Sequence, residues 1–570
     1  MKYILKTKKI IPGLFLIVSL LSSCTKDFET MNQNPNNPLT VAAIDIFTNA
    51  EQSSIGGISR GGGQLGGWMQ HTYLGPWSQQ WCKVQYIDED RYMPRDMSSY
   101  FQTPYTNELK NLTIVITKAA SEKKEGLVAA GKIMRAWVFM YLTDVWGDIP
   151  YFEALNGFST TGTLTPKYDT QASIYADLLV QLEEANVTLT GASDNFGSGD
   201  IIYGGDPVLW RKFANSLKLR LLNRAAGTPW SFTYNMAGGT TFTTTPGVAA
   251  MSDADAQIAK ILADPGQYPI FESNSDNTQL SFPGLPYRNP IFNTLNTRTD
   301  QGISETMVDW LKARTDPRLH IYGQPTPNSV AADVVLPYDS LKYVGFQNGR
   351  EITSALFPAI SLLGTQIAYT EKAPLYVLCL DEVDFIKAEY YKRIGNDASA
   401  QEAYEAGIAA SMERWGLNDG SQVYPSFGKT SITVSKTGYP VVYATYLADP
   451  LVVWGGTDAH KFQLICEQRW AGEFGQGVQA YCEIRRTGFP ERIFEYELKG
   501  IFAPNKGLGL PVRLQYALSE TTNNTINLAT AKASQHVEST NEGMFSTNGT
   551  SSQIWWHTRK NPIPTVSDVH

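Results

Sequence analysis

The chain has 570 residues, of which 42% are hydrophobic, 12% are aromatic and 18% are charged, and its formal net charge is −8. This length and apolar content supply a large core, which excludes a disordered chain and a small disulfide scaffold. An acidic chain with no basic run beyond its first nine residues is poorly suited to bind nucleic acid or an anionic lipid surface.

The N-terminus has the order of features that is typical of a bacterial lipoprotein signal. Four lysines fall in residues 1–9, an apolar stretch follows at 10–21, and Leu-Ser-Ser then leads directly to Cys24. The apolar stretch is shorter than the roughly 20 residues that a membrane-spanning helix needs. We therefore expect residues 1–23 to be a removable signal and Cys24 to be acylated, so that lipid chains hold the mature protein on a membrane.

An ordinary secretory signal followed by a chance cysteine is the alternative interpretation of this region. The residues after Cys24 include an acidic stretch at 27–29. That stretch resembles the export signal that sends some Gram-negative lipoproteins to the outer face of the outer membrane, which favours a lipid anchor facing the cell exterior.

Two glycine motifs follow the signal region. Residues 57–61 match the G-x-S-x-G pattern of hydrolases, and residues 61–66 match the G-x-G-x-x-G pattern of dinucleotide-binding proteins. Both motifs need a strand before them and a helix after them, and the preceding segment is polar. We therefore interpret this glycine-rich stretch as a flexible loop, since glycine tolerates positive φ angles.

Residues 68–92 hold the highest density of aromatic and amide side chains in the chain. Sugar rings present flat C–H faces that stack on aromatic rings, and their hydroxyls pair with amides and carboxylates. Helical spacing would place Trp77 and Trp81 on one side as a single platform. The alternative is that these rings are core, because Trp is usually largely buried. The predicted ligand contacts of this segment are Trp68, Tyr73, Trp77, Gln79, Gln80, Trp81, Tyr86 and Asp88.

Apolar stripes at spacings of three and four residues predict a mostly α-helical protein. The predicted helices have lengths that suit tetratricopeptide-like pairs, in which two helices pack against each other. They lie mainly in two blocks, 105–226 and 370–490, within one domain that spans 24–570. The individual predictions are helices at 125–146, 170–188, 207–226, 306–312, 375–394, 399–415, 458–472 and 476–486.

The stretches 60–105 and 227–365 are predicted to be loop-rich, with a few short strands, and to form the ligand face. Long loops in a compact chain are usually functional. Within the second stretch, Tyr287, Arg288 and Asn289 lie between prolines on a predicted surface loop. We take these three residues as the second choice for ligand contacts.

The sequence gives no indication of a metal or a cofactor. It has no H-E-x-x-H, no C-x-x-C and no pair of histidines at helical spacing. Carboxylate pairs such as Asp88 with Asp90, or Asp381 with Asp384, leave a secreted hydrolase as the alternative, because glycosidases use two carboxylates across a cleft.

Several motifs, taken in order, resemble the SusD/RagB family of outer-membrane nutrient-binding lipoproteins. They begin with the Leu-Ser-Ser-Cys end of the signal and continue through the Trp-Gly-Asp-Ile-Pro-Tyr run at 146–151. No single motif is decisive, but their order and separations are specific. The remaining matches are at 135–137, 168–171, 174–175, 205–207, 210–220, 316–319, 385–389 and 485–490.

The resemblance implies a helical scaffold of tetratricopeptide-like pairs with a loop-rich face that holds the ligand. It also implies a protein without enzymatic activity that acts as a lid on a SusC-like TonB-dependent transporter. Members of the family capture oligosaccharides, or in some cases peptides, and pass them to that partner. An acidic, Trp-rich and Gln-rich segment favours neutral sugars over peptides as the ligand here.

Overall fold

The computed structural model describes residues 41–56, 69–157, 162–192, 196–226, 233–235, 241–243, 250–329, 342–350, 354–425, 438–491, 510–537, 544, 552 and 554–557. Its architecture is mostly helical, with a few short two-stranded sheets, as the periodicity predicted. Cys24, Trp68 and the two glycine motifs at 57–66 lie outside the described residues.

The helices are numbered in chain order. The first block contains α1 (Ala43–Ile55), α2 (Gly75–Trp77), α3 (Ser98–Thr103), α4 (Leu109–Ser121), α5 (Glu125–Trp146), α6 (Gln171–Gly191) and α7 (Pro207–Ala225). The middle contains α8 (Ala250–Ala263), α9 (Pro290–Leu295), α10 (Glu305–Ala313), α11 (Leu319–Tyr322) and α12 (Thr365–Ala368). The last block contains α13 (Leu380–Arg393), α14 (Asp397–Arg414), α15 (Tyr443–Leu447), α16 (Asp458–Gly472), α17 (Gly477–Thr487), α18 (Glu520–Asn523) and α19 (Thr525–Ser534). Short π-helices occupy Gln70–Leu74 and Pro104–Glu108, and 3₁₀ turns occupy Asn274–Asp276, Pro327–Ser329, Ser354–Ala359 and Trp555–His557.

The strands within the described residues form antiparallel pairs. These are β1 (Trp81–Lys83) with β7 (Gln301–Ile303), β2 (Ile149–Pro150) with β3 (Tyr168–Asp169), β4 (Thr233–Asn235) with β5 (Thr241–Thr243), β6 (Thr278–Leu280) with β8 (Leu375–Leu378), and β9 (Gln422–Val423) with β10 (Tyr439–Pro440). In the first pair, Trp81 lies opposite Ile303 and Lys83 opposite Gln301.

The long helices begin and end where the local sequence provides caps. The Asp206 carboxylate accepts from the backbone N–H groups of Val208 and Leu209, and Pro207 occupies the first turn of α7. The Thr170 hydroxyl caps α6 in the same way. Gly147, with φ of 79°, ends α5.

Consecutive helices pack against each other, as the predicted pairs require. α4 packs on α5, α5 on α6, α6 on α7, and α13 on α14. Trp137 of α5 is buried, so the stripe that predicted this helix faces the core. This arrangement is the tetratricopeptide-like scaffold of helix pairs.

A buried ion pair and a buried hydrogen bond connect the first helical block to the last, and a second buried ion pair lies within the last block. The Arg220 guanidinium bonds both carboxylate oxygens of Glu382 at 2.7 and 2.6 Å, and the Arg486 guanidinium bonds both oxygens of Glu389 at 2.5 and 2.6 Å. The carboxylate of Glu389 also accepts from the Asn223 amide of α7 at 2.9 Å. Paired geometry of this kind is what allows charged side chains to lie inside a core.

Three local predictions differ from the structure. The stretch 227–365, predicted to be rich in loops, contains the 14-residue helix α8. Residues 375–378 are the strand β8 rather than the first turn of a helix, and α13 begins at Leu380. The polar stretch before the glycine motifs contains α1, which the periodicity did not predict. Periodicity cannot assign an apolar run as short as 375–378 to a helix or a strand. Its pairing with the distant strand β6 makes it a strand.

The four cysteines within the described residues are all buried and unpaired, namely Cys82, Cys379, Cys466 and Cys482. Their side chains pack as small buried hydrophobes. Among the described helices, none is both long and apolar enough to cross a bilayer.

Candidate ligand-binding site

The predicted aromatic segment folds inward at its start. The helix α2 ends at Trp77, the chain turns through Gln79, which has φ of 51°, and Trp81 then opens strand β1. Gly75 permits this turn, because a Cβ at that position would lie 1.9 Å from the Trp81 ring. The prediction that Trp77 and Trp81 share one helical face is therefore wrong.

Both tryptophans are 1% exposed, and each has its indole N–H satisfied by the backbone. Trp77 Nε1 donates to the Glu89 carbonyl at 2.9 Å, and Trp81 Nε1 donates to the His71 carbonyl at 2.8 Å. Tyr73 is also buried, edge-on to Trp77. These rings have no free face for a ligand in this structure, which agrees with the alternative interpretation of the segment as core.

The amides that were expected to form a polar rim are buried as well. Gln79 Oε1 accepts from the Thr306 hydroxyl at 2.5 Å. Gln80 Nε2 donates to the Trp470 carbonyl at 2.9 Å, and Trp470 Nε1 donates to the Ser78 carbonyl at 2.9 Å. These residues fasten the segment to α10 and α16, and so they position the loop that follows.

Asn289 has a similar positioning role in the second predicted loop. Its Oδ1 accepts from the backbone N–H groups of Ile291 and Phe292 at 2.7 and 3.2 Å, which caps helix α9. Its Nδ2 donates to the Ala373 carbonyl at 2.8 Å. Asn289 is buried, so it holds the loop in place rather than facing solvent.

Tyr86 is the exposed aromatic ring of the first loop, with 68% of its surface accessible. The loop leaves β1 and is held by the Val84 N–H, which donates to the Asp300 carbonyl at 2.7 Å. The Arg298 guanidinium lies over the Tyr86 ring, 5.2 Å from its centroid. Asp88, two residues further on, is exposed at the same turn.

Tyr287 is the exposed ring of the second loop, with 55% of its surface accessible. A β-bridge between Gly284 and Tyr287 closes this loop. The neighbouring Arg288 Nε lies 2.9 Å from Glu371 Oε2 in a half-exposed ion pair. The Asn289 N–H donates to the Glu371 carbonyl at 2.9 Å, which ties the loop to the segment after α12.

A third segment connects the two loops. The burial of Tyr369 and the nearby charge of Asp300 raise the pKa of the Tyr369 hydroxyl to about 12. That hydroxyl has no hydrogen-bond partner among the residues that the structure describes. Tyr369 therefore lies near Asp300, which holds the first loop, while Glu371 of the same segment holds the second loop. The 369–371 segment thus lies between the two loops. We call residues 84–88, 284–288, 298–300 and 369–371 the loop surface.

The two arginines of the loop surface are paired before any ligand arrives. Arg298 pairs with Asp300, and Arg288 pairs with Glu371. Cys82 of β1 and the following Val84 pack with Phe346 and Ile360 in a small separate hydrophobic cluster. The surface therefore presents two tyrosine rings, bordered by guanidinium and carboxylate groups, on a fixed base. This chemistry suits a neutral ligand with flat apolar faces and many hydroxyls.

The sequence predicted four exposed members of this surface, which are Tyr86, Asp88, Tyr287 and Arg288, and it missed Arg298, Tyr369 and Glu371. Nothing in the local sequence distinguishes these three residues. Only the pairing of β1 with β7, and the contact of the 284–289 loop with the chain after α12, bring them beside the tyrosines.

A comparison with protein families matches residues 61–557 to the SusD-like family, described as Susd and RagB outer membrane lipoprotein. The chain belongs to this family. The match includes the whole loop surface and every numbered helix except α1. It confirms the resemblance that the sequence motifs indicated.

Solved structures confirm the SusD-like fold. A chitin-binding protein is 23% identical with a TM-score of 0.68, over 91% of this chain and 100% of its own. A SusD homologue from Bacteroides fragilis is 22% identical with a TM-score of 0.66, over 91% of this chain and 99% of its own. A chitin-binding SusD homologue from Flavobacterium johnsoniae is 21% identical with a TM-score of 0.67, over 91% and 99%. The comparison with curated proteins finds no match.

Proposed function

We propose that this SusD-like protein captures oligosaccharides at the loop surface and delivers them to a SusC-like TonB-dependent transporter, without catalysing a reaction on them. In this proposal the mature chain is anchored by lipid at Cys24 and faces the cell exterior. The observation that carries the proposal is the exposure of Tyr86 and Tyr287 on adjoining loops, while Tyr73, Trp77 and Trp81 of the same aromatic-rich region are buried.

The charge pattern of the loop surface favours neutral sugars. Each arginine has a carboxylate partner, so an anionic ligand would have to displace Asp300 or Glu371 from a guanidinium. A neutral pyranose can instead stack on a tyrosine and accept hydrogen bonds from the guanidinium edges. Because two structures with this fold are named as chitin-binding, chito-oligosaccharides are the first ligands to test.

A peptide is the alternative ligand of the same surface. Tyrosines and backbone groups on loops also serve peptide grooves, and Arg288 or Arg298 could bind a terminal carboxylate. The paired state of both arginines is what favours sugar over peptide here.

One member of each carboxylate pair that suggested a hydrolase is buried in a structural role. Asp90 is buried, and its Oδ2 accepts from the Lys83 N–H at 2.8 Å and from the Asn348 amide at 3.3 Å. Asp381 is buried beside Arg414, at 3.2 Å. A general acid and a base must both reach the substrate, and one member of each pair is held inside. This placement supports the binding role.

The test is isothermal titration of the full chain with chito-, malto- and cello-oligosaccharides, and with a random tripeptide mixture. We expect saturable binding of at least one sugar series and none of the peptides, and chromatography of the sugar after long incubation should show no shortening. Peptide binding without sugar binding would reverse the ligand assignment, and shortened sugar would support the hydrolase.

A further inference from the structure

A second concave site lies away from the loop surface, between α3, the chain at 150–155 and 163–166, and α18. The cavity has a volume of about 380 Å³. That is within the range of about 300–1,000 Å³ for small-molecule sites, near its lower end. Phe101, Tyr105, Leu155 and Leu164 supply its apolar walls.

The walls of this cleft are held by hydrogen bonds that do not involve a ligand. The Tyr105 hydroxyl donates to the Pro150 carbonyl at 2.8 Å, and the Tyr168 hydroxyl donates to Glu520 Oε2 at 2.8 Å. The Asn524 amide donates to the Pro166 carbonyl at 2.8 Å, which fastens the 162–166 segment to the end of α18. The cleft is therefore formed before binding, which lowers the entropic cost of holding a ligand.

The polar groups of the cleft point to a hydroxyl-rich ligand. Gln102, Glu520 and Asn523 lie along it. In the described part of the chain, the side-chain amide nitrogens of Gln102 and Asn523 donate no hydrogen bond. None of the described residues that line the cleft is a lysine or an arginine, so they offer an anion no counter-charge. Amides and one carboxylate around an apolar wall match the hydroxyls and C–H faces of a sugar ring.

The backbone of the cleft also carries an uncommon conformation. Leu155 has φ of 64°, in the left-handed region that a bulky residue rarely occupies. Such conformations persist only where the surrounding structure enforces them, and they gather at ligand sites. Leu155 is one of the apolar lining residues, so the strain lies in the wall of the cleft itself.

We propose that the cleft between α3 and α18 is a second carbohydrate site, which holds one or two rings of a neutral saccharide. The apolar walls contact the C–H faces of the sugar, and Gln102, Asn523 and Glu520 pair with its hydroxyls. An oligosaccharide that is bound at two sites dissociates more slowly than one that is bound at a single site. The inference rests on the proposed function for the class of ligand, but not for the surface that binds it.

The test uses the full chain with ¹³C-labelled leucine methyl groups, titrated separately with chitotriose, maltotriose and cellotriose. We expect one sugar to shift the methyl signals of Leu155 and Leu164. Leu164→Trp, an enlargement of an exposed side chain that fills the cleft, should abolish the Leu155 shift. Gln102→Ala and Asn523→Ala should weaken the affinity read from that signal by about tenfold, equivalent to about 1.4 kcal/mol. Thr530→Ala, on the exposed side of α19, is the matched control and should leave it unchanged.

The double variant Tyr86→Ala with Tyr287→Ala separates the two sites. Shifts at Leu155 and Leu164 that persist in this variant support an independent cleft site. If sugar binds the wild-type chain but leaves the two leucine methyls unmoved at saturation, the cleft inference is overturned and the loop surface stands. If none of the three sugars binds at either place, the proposal for the loop surface fails as well.

Discussion

The guanidinium of Arg298 lies 5.2 Å from the centroid of the Tyr86 ring, and the same arginine pairs with Asp300. The Asp300 carbonyl in turn accepts from the Val84 N–H at the base of the loop that carries Tyr86. An arginine over a tyrosine face at an exposed site stabilises the pair by about 0.5–1 kcal/mol. The Tyr86 ring is therefore oriented in the free protein, although it is largely exposed.

The first prediction concerns the two exposed tyrosines. Tyr86→Ala and Tyr287→Ala should each weaken oligosaccharide affinity by about tenfold, because stacking is worth about 0.5–1.5 kcal/mol beyond the area that it buries. Tyr86→Phe, which keeps the ring, should bind nearly as the wild type does. Titration calorimetry gives the affinities, and melting temperatures should stay unchanged. Normal binding by both alanine variants would place the ligand elsewhere.

The second prediction concerns the buried ring of Trp77. Trp77→Ala should reduce the free energy of unfolding by about 3–5 kcal/mol, because it removes a fully buried indole and leaves a cavity. Denaturant unfolding followed by circular dichroism measures the loss. Tyr86→Ala is the control and should cost little. A Trp77→Ala chain as stable as the wild type would show that the ring is not part of the core.

The third prediction concerns the pH dependence that Asp90 confers. Burial raises the pKa of its carboxyl to about 7, against the opposing effect of backbone N–H groups from Lys83 and Gly349. A carboxyl whose folded pKa is raised stabilises the fold below its unfolded pKa of about 4 and loses that stabilisation as the pH rises through 7. As the pH rises from about 4 to about 7, the free energy of unfolding of the wild type should therefore fall relative to that of Asp90→Asn, by up to about 1.4 kcal/mol per pH unit.

The measurement for Asp90 is the difference in unfolding free energy between wild type and Asp90→Asn at pH 5, 6, 7 and 8. The asparagine oxygen can still accept from the Lys83 N–H, so the fold should be retained. Asp88→Asn, an exposed neighbour, should show no comparable trend. A difference that is constant with pH would mean that Asp90 is ionised throughout the range.

The fourth prediction concerns the buried pair of Glu389 and Arg486. Glu389→Gln should cost about 3–5 kcal/mol, because it removes the buried charge that pairs with both Arg486 and Arg393. Arg486 holds the pKa of the Glu389 carboxyl well below its usual range. The free energy of unfolding that the wild type gains over Glu389→Gln is therefore complete above a pH of about 4.3. It decreases as the pH falls further. Denaturant unfolding at pH 7 and pH 3.5 tests both statements, with the exposed Glu402→Gln as control.

The fifth prediction concerns the anchor. Cys24→Ala should move the protein from the membrane fraction to the soluble fraction, because the acylated thiol would no longer exist. Fractionation and immunoblotting measure the distribution. Ser23→Ala keeps a small residue before the cysteine and should remain on the membrane. A Cys24→Ala protein that withstands repeated washing on the membrane would rule out this anchor.

The helical scaffold was predictable because its signals are local. The stripe that contains Trp137 and the Asp206-Pro207 start of α7 each lie within a few residues of sequence. Residues 375–378 form a strand, however, because they pair with β6, about a hundred residues earlier. A pairing at that separation leaves no mark in the run itself.

The loop surface was predictable only in part, for a related reason. The composition of residues 68–92 indicated stacking rings, but composition does not say which rings are covered. Trp77 packs edge-on against Tyr481, and Trp81 against Phe474, and these partners come from the last quarter of the chain. Tyr86 stays exposed, and the Arg298 guanidinium, rather than an aromatic ring of the core, lies over its face.

The reciprocal bonds between the 78–80 segment and Trp470 have a consequence for how the chain acquires its native state. A polypeptide is made from its N-terminus, so Ser78 and Gln80 have no docking partner until α16 has been synthesised. Contacts of such long sequence separation form slowly. The first helical block can fold early, whereas the loop that carries Tyr86 becomes ordered only near the end. A chain truncated before residue 458 would keep α4 to α7 but would lack a fixed place for Tyr86.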